Sequence, residues 1–140
     1  MSLILDSSVL IAEERGTWDG RRFAREAIGN QRTAICSITA SEFLHGCFRA
    51  PVGRRREQRV AFFDAIVNAL EVIAFDLGIA KTHTELWADL ASRGIGVGAH
   101  DLLIAATCLH LDWSLVTLNE VEFSRIPGLK LVDCVSFRIG

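Results

Sequence analysis

Four carboxylates, Asp6, Glu42, Asp101 and Glu122, occupy matching points of a repeating pattern. Asp6 follows the apolar run Leu3 to Leu5, and Glu42 stands in the first turn of the helix expected after the run Thr33 to Cys36. Asp101 stands in the first turn of a strongly apolar helix, and Glu122 follows Asn119 just after the run Leu115 to Thr117. In a parallel α/β sheet, strand ends and the helix starts after them share one edge, where ligands bind. Asp101 joins that rim if its helix begins where the pattern places it, so the carboxylates can converge. Gathered there they would repel and raise one another's pKa values unless cations compensated them. Asp101 runs at once into Leu102-Leu103-Ile104, partly out of water, where an unpaired charge is costly. Lysine is almost absent nearby. A hard divalent ion, Mg²⁺ or Mn²⁺, is the natural counter-ion for such oxygens. A carboxylate-held metal with open positions activates water and neutralises charge on a departing phosphoryl group.

Each carboxylate also has a purely structural reading. Asp6 is suited to accept amide hydrogens at a strand-to-helix turn. Thr39-Ala40-Ser41-Glu42 fits a capping box, and Asn119 to Glu122 has a similar shape. Asp101 complements a helix dipole, worth about 0.3 to 1 kcal/mol. Only the four together favour chemistry. Other catalytic templates are missing: His45, His83, His100 and His110 have no zinc-site spacing, and there is no G-x-S-x-G elbow or Walker A loop. Gly94-Ile95-Gly96-Val97-Gly98 lacks dinucleotide-loop spacing and reads as a bend into the Asp101 helix.

The elements that must position these residues alternate between short apolar runs and helical patterns. Runs at Leu3–Leu5, Thr33–Cys36, Val72–Phe75, Leu115–Thr117 and Leu129–Val132 predict strands. Helices are expected from Ser8 to Gly16, Asp19 to Ile28, near Thr39 to Pro51, Arg54 to Leu70, Gly78 to Ser92 and Ala99 to Leu111. That alternation implies βαβ units and a parallel sheet covered by helices. The 140 residues, half of them hydrophobic and 23% charged, fit one domain over residues 1–140. The N-terminus carries no leader pattern and no apolar run nears the ~20 residues of a membrane span, so no membrane partner is expected. Cys36, Cys47, Cys108 and Cys134 form no C-x-x-C pair, which suggests reduced thiols and a cytoplasmic location.

A net charge of −2 argues against nucleic-acid binding by bulk charge. Arg49, Arg54, Arg55, Arg56 and Arg59 nevertheless crowd into eleven positions, and Arg outnumbers Lys thirteen to two. Guanidinium forks suit phosphate. A solvated helix face is an equally ordinary explanation of such a run.

The segments LILDSSVLIA, ITASEFLHG, GAHDLLIAAT and LVTLNEVEFSRIPGL resemble, in order and at similar spacing, the acidic motifs of PIN domains, specifically the VapC toxins of toxin–antitoxin pairs. The resemblance spans Leu3 to about Val132. It implies a doubly wound three-layer α/β/α sandwich with a five-stranded, mostly parallel sheet. It also implies an Mg²⁺- or Mn²⁺-dependent endoribonuclease that forms a homodimer and is neutralised by a small VapB-type antitoxin. Carried over, Asp6, Glu42 and Asp101 are the metal ligands, Ser8 hydrogen-bonds within the acidic cluster, and Thr117 ends the fourth strand. Many PIN domains have aspartate where Asn119 stands, whereas the Asn119…Glu122-Phe123 form resembles members of the toxin branch. Neutral Asn119 is a weaker ligand, which points to one well-held ion with Glu122 assisting.

The resulting expectation is metal-assisted hydrolysis of RNA by Asp6, Glu42, Asp101 and Glu122, with Arg54, Arg55, Arg56 and Arg59 on the RNA backbone. The alternative is a PIN-scaffold module that binds RNA and antitoxin but cleaves weakly.

Overall fold

A computed structural model describes residues 2–140. Strands β1 (Ser2–Leu5), β2 (Arg32–Cys36), β3 (Glu71–Ile73), β4 (Ser114–Val116) and β5 (Leu131–Val132) form one sheet in the order β3-β2-β1-β4-β5. Every pairing is parallel, so the expected mostly parallel sheet is wholly parallel. The chain builds outward from β1 to β3, then returns to the other side of β1 with β4. The sheet therefore reverses direction between β1 and β4, the point at which doubly wound sheets open a crevice.

Successive strand residues face opposite layers. Leu3, Leu5, Ile35 and Val116 enter the core beneath α1 (Ser7–Glu14), α2 (Gly20–Phe23), α3 (Ser37–Arg49) and α4 (Arg54–Ala69). Ile4, Cys36 and Leu115 enter a second core under α5 (Leu77–Ser92), α6 (Ala99–Leu111) and α7 (Glu120–Phe123). Burial on both faces is why these strands read as unbroken apolar runs. The three-layer α/β/α sandwich follows. Leu102, Ile104, Ala105, Ala106 and Cys108 of α6 are all buried, as its composition requires. Among the described residues, no helix is long and apolar enough to cross a membrane.

Four expected elements differ. The segment from Asp19 to Ile28 is a short α2, capped by the Asp19 carboxylate accepting from the Arg22 amide, that widens into π turns over Ala24–Ile28. The third strand ends at Ile73 instead of Phe75, and the fifth begins at Leu131 instead of Leu129. Helix α3 begins at Ser37, with Cys36 in the N-cap position and no side-chain cap bond. Glu42 therefore stands in the second turn, and its capping-box reading fails.

Candidate active site

Asp6 occupies the switch point. It follows β1 in an extended conformation at the N-cap position of α1, yet its side chain caps no amide. It is 3% exposed, and its Oδ2 accepts two hydroxyl hydrogens, from Ser8 Oγ at 2.8 Å and from Thr117 Oγ1 at 2.8 Å. The hydroxyls are themselves fixed. Ser8 Oγ accepts the Leu118 amide at 3.0 Å, and Thr117 Oγ1 accepts the Asn119 amide at 2.9 Å. Each hydroxyl has a single proton to give. Both are directed at Asp6, leaving no proton for the 3.2 Å Ser8–Thr117 contact. Oδ1 is engaged only by a long 3.5 Å contact from Ser7 Oγ. The result is a buried carboxylate with one oxygen clamped and one spare, held by residues that follow the two strands at the reversal. Thr117, fully buried just past β4, is anchored further by Cys134 Sγ, which donates to its carbonyl at 3.0 Å.

Asp101 lies in the first turn of α6, and no donor among the described residues reaches it. Its pKa is pushed from the ordinary 3.8 up to about 6, first by burial and then by the charges of Asp6, Glu42 and Glu122; His100 counters them. Asp6, Glu42 and Glu122 therefore each lie within electrostatic range of Asp101. They do not form a ready cage. Among the described residues, no three His, Cys, Asp or Glu side chains are gathered closely enough to hold an ion in this conformation. Glu42 Oε2 lies 3.1 Å from His100 Nδ1, and Glu122 accepts from the Arg125 guanidinium. Glu42 Oε1 is buried without any hydrogen-bond partner. An orphaned buried carboxylate oxygen, the spare oxygen of Asp6 and a partnerless Asp101 make an all-oxygen donor set short of positive charge. That chemistry fits a hard divalent ion, with side-chain rotation needed to close around it.

The nearby cationic groups are His100 and Arg125, which a search of the sequence for lysine does not find. Their signals were the adjacency of His100 to Asp101 and the i, i+3 spacing of Arg125 to Glu122. Asn119 stands at the N-cap of α7, but its side chain makes no cap bond, and Glu122 does not reach back to it.

Beside the acidic centre a groove of about 690 Å³ runs between α1, α3 and the start of α4, lined by Arg15, Arg49, Arg55 and Arg59, with Glu42 and His100 also in its wall. A hollow of about 400 Å³ is formed by Glu42, Gly98, Ala99, His100 and Asp101. Glu42 and His100 border both, so the groove opens onto the carboxylates.

The arginine run divides into two roles. Arg59 pairs with Glu14 at 3.1 Å, donates to the Gly46 carbonyl at 2.8 Å and lies over the Phe43 ring. Arg56 donates to the carbonyls of Ala50 and Phe48, closing the turn between α3 and α4. These two guanidiniums are engaged by contacts within the fold. Arg55 remains on the groove wall, joined by Arg15 and Arg49 from other helices. Arg54 is exposed at the start of α4, outside the groove lining.

The PIN domain model matches residues 3–129. The chain is 32% identical over 136 residues to a protein named Ribonuclease VapC1 from Rickettsia felis, an alignment covering 97% of this chain and 98% of that one. It is 32% identical over 106 residues to the tRNA(fMet)-specific endonuclease VapC of Salmonella typhimurium, covering 76% of this chain and 78% of that one. Its fold superposes with a TM-score of 0.85 and 29% identity on the crystal structure of VapBC2 from Rickettsia felis bound to a DNA fragment from their promoter, covering 94% and 98% of the two chains.

Proposed function

The chain belongs to the PIN domain family, and on that premise we propose that it is the ribonuclease toxin of a VapBC-type pair, hydrolysing RNA phosphodiesters at the Asp6–Asp101 centre. The observation that carries this reading is the upward-shifted, partnerless Asp101 beside the clamped Asp6. Asp6, Asp101 and Glu42 would hold one Mg²⁺ or Mn²⁺. When bound, such an ion supplies Lewis acidity and neutralises charge developing on the phosphoryl group.

The chain's own residues do the rest. Ser8 and Thr117 keep Asp6 in one rotamer, so no reorganisation of that carboxylate is needed during reaction. Arg15, Arg49 and Arg55 draw the phosphate backbone into the groove, with salt-sensitive affinity. Glu122 is the carboxylate available to accept a proton from the attacking water as the P–O bond to the leaving sugar oxygen breaks. Its pairing with Arg125 keeps it oriented and solvated. Neutral Asn119 leaves a second ion weakly supported.

This reading includes a VapB-type antitoxin partner, in keeping with the VapBC complexes whose fold it shares, and extends to a homodimer and a cytoplasmic setting. The test is cleavage of an RNA panel that includes initiator tRNA, by protein stripped of antitoxin, with Mg²⁺ or Mn²⁺ and with chelator. Cleavage should require the ion and vanish in folded Asp6→Asn and Asp101→Asn. Wild-type cleavage by either variant would refute the assignment. Binding of RNA and antitoxin without cleavage would instead favour the weakly catalytic module, the reading to which neutral Asn119 lends support.

A further inference from the structure

His100 has no assigned part in the chemistry above, yet its place is unusual. It directly precedes Asp101 in the first turn of α6, and its Nδ1 lies 3.1 Å from Oε2 of Glu42 on α3. The contact bridges two helices at the point where each presents a carboxylate. The Glu42 side chain is 29% exposed and that of His100 is 53% exposed, so the contact is made at the edge of the site. One Glu42 oxygen thus has an imidazole nitrogen beside it, while the other is buried and partnerless.

Glu42 needs such a hold. It is a long side chain with several rotamers, within electrostatic range of the Asp101 carboxylate, and among the described residues His100 alone brings a nitrogen beside it. We propose that His100 is a positioning residue of this centre: its Nδ1–H grips Oε2 of Glu42 and thereby commits Oε1 to the divalent ion. The Nδ1–H donates in the imidazolium and in the neutral tautomer that carries its proton there, so the role does not depend on titration. An outer partner that orients a ligating carboxylate commonly changes metal affinity by 10–100-fold when removed. The inference rests on the nuclease reading of Glu42.

The test is calorimetric titration of Mn²⁺ into the full antitoxin-free chain, with melting curves confirming that each variant folds. His100→Ala should weaken Mn²⁺ binding about 10-fold. His100→Asn, whose amide nitrogen can stand where Nδ1 stood, should recover most of that loss. In a Glu42→Gln background, His100→Ala should add less than about twofold, because the carboxylate that it positions has gone. Cleavage by His100→Ala should return towards the wild-type rate as Mn²⁺ is raised to saturation. Unchanged affinity in His100→Ala, or an equal loss in the Glu42→Gln background, overturns the proposal. If Asp101→Asn still abolishes binding in that case, the nuclease centre stands and only His100 loses its role. A wild-type protein that binds no Mn²⁺ overturns both.

Discussion

Replacing Asp101 with Asn should inactivate the protein and stabilise its metal-free form at the same time. The carboxyl of Asp101 titrates at about 6 in the folded chain against an ordinary 3.8, because burial and the charges of Asp6, Glu42 and Glu122 oppose its ionisation. Between those two values the folded state binds more protons than the unfolded state, so stability falls as pH rises through that window. The penalty is absent below about pH 3.8, grows between the two values and is fully present above about pH 6. At 1.36 kcal/mol per pH unit the interval corresponds to about 3 kcal/mol. Asp101 is only partly buried, and screening by water reduces this to about 1.5 kcal/mol. For a chain of 140 residues that is about 6 °C in melting temperature. The assay is denaturant unfolding in chelator from pH 4 to pH 8. Asp101→Asn should exceed wild type by about 1.5 kcal/mol at pH 7.5, with the gap closing towards pH 4. Added Mg²⁺ should stabilise wild type and leave the variant unmoved. A variant no more stable than wild type at pH 7.5, or a gap that ignores pH, would refute the electrostatic account.

Other consequences follow from particular contacts. Thr117→Val keeps the shape but removes the hydroxyl that donates to Asp6 and accepts the Asn119 amide. It should cost about 1 to 3 kcal/mol in urea unfolding and depress cleavage; unchanged values in both would show that the clamp is dispensable. Arg59→Met should destabilise by about 2 kcal/mol, because Glu14, 15% exposed at its side chain, is left without its partner. Arg55→Ala should leave unfolding within about 0.5 kcal/mol of wild type while lowering the salt dependence of RNA binding by about one phosphate contact. Equal effects of these two substitutions on stability and on RNA binding would erase the distinction between structural and groove arginines. All four thiols are buried and free, and burial pushes Cys36 and Cys134 up to about 11. At pH 8 a thiol reagent should label none of them faster than the chain opens, and all of them in denaturant. Rapid labelling of the native protein would contradict the packing.

Much of the fold was legible because its signals are local. Strand β2 and helix α6 lie almost where their apolar runs place them, since a strand buried on both faces and a helix buried nearly all round leave little room for another reading. The start of α3 was not legible. Thr39 and Glu42 imitate a capping box, but Thr39 is fully buried, and the helix begins earlier at a Cys36 cap that no side chain signals. The arginine run could be seen as a run, yet nothing local says that Arg59 turns inward to Glu14, 45 residues away, while Arg55 stays on the groove. By itself the sequence determined which segments are strands and helices, and that a carboxylate stands near the carboxyl end of β1 and in the early turns of α3, α6 and α7. Hydrophobic period and turn chemistry act over a few residues and suffice for that. Only tertiary structure decided what each carboxylate meets, pairing Asp6 with a hydroxyl 111 residues away, Glu42 with an imidazole and Asp101 with no donor. Those encounters depend on crossovers and layer packing that bring distant segments to one sheet edge, and no short stretch of chain encodes them.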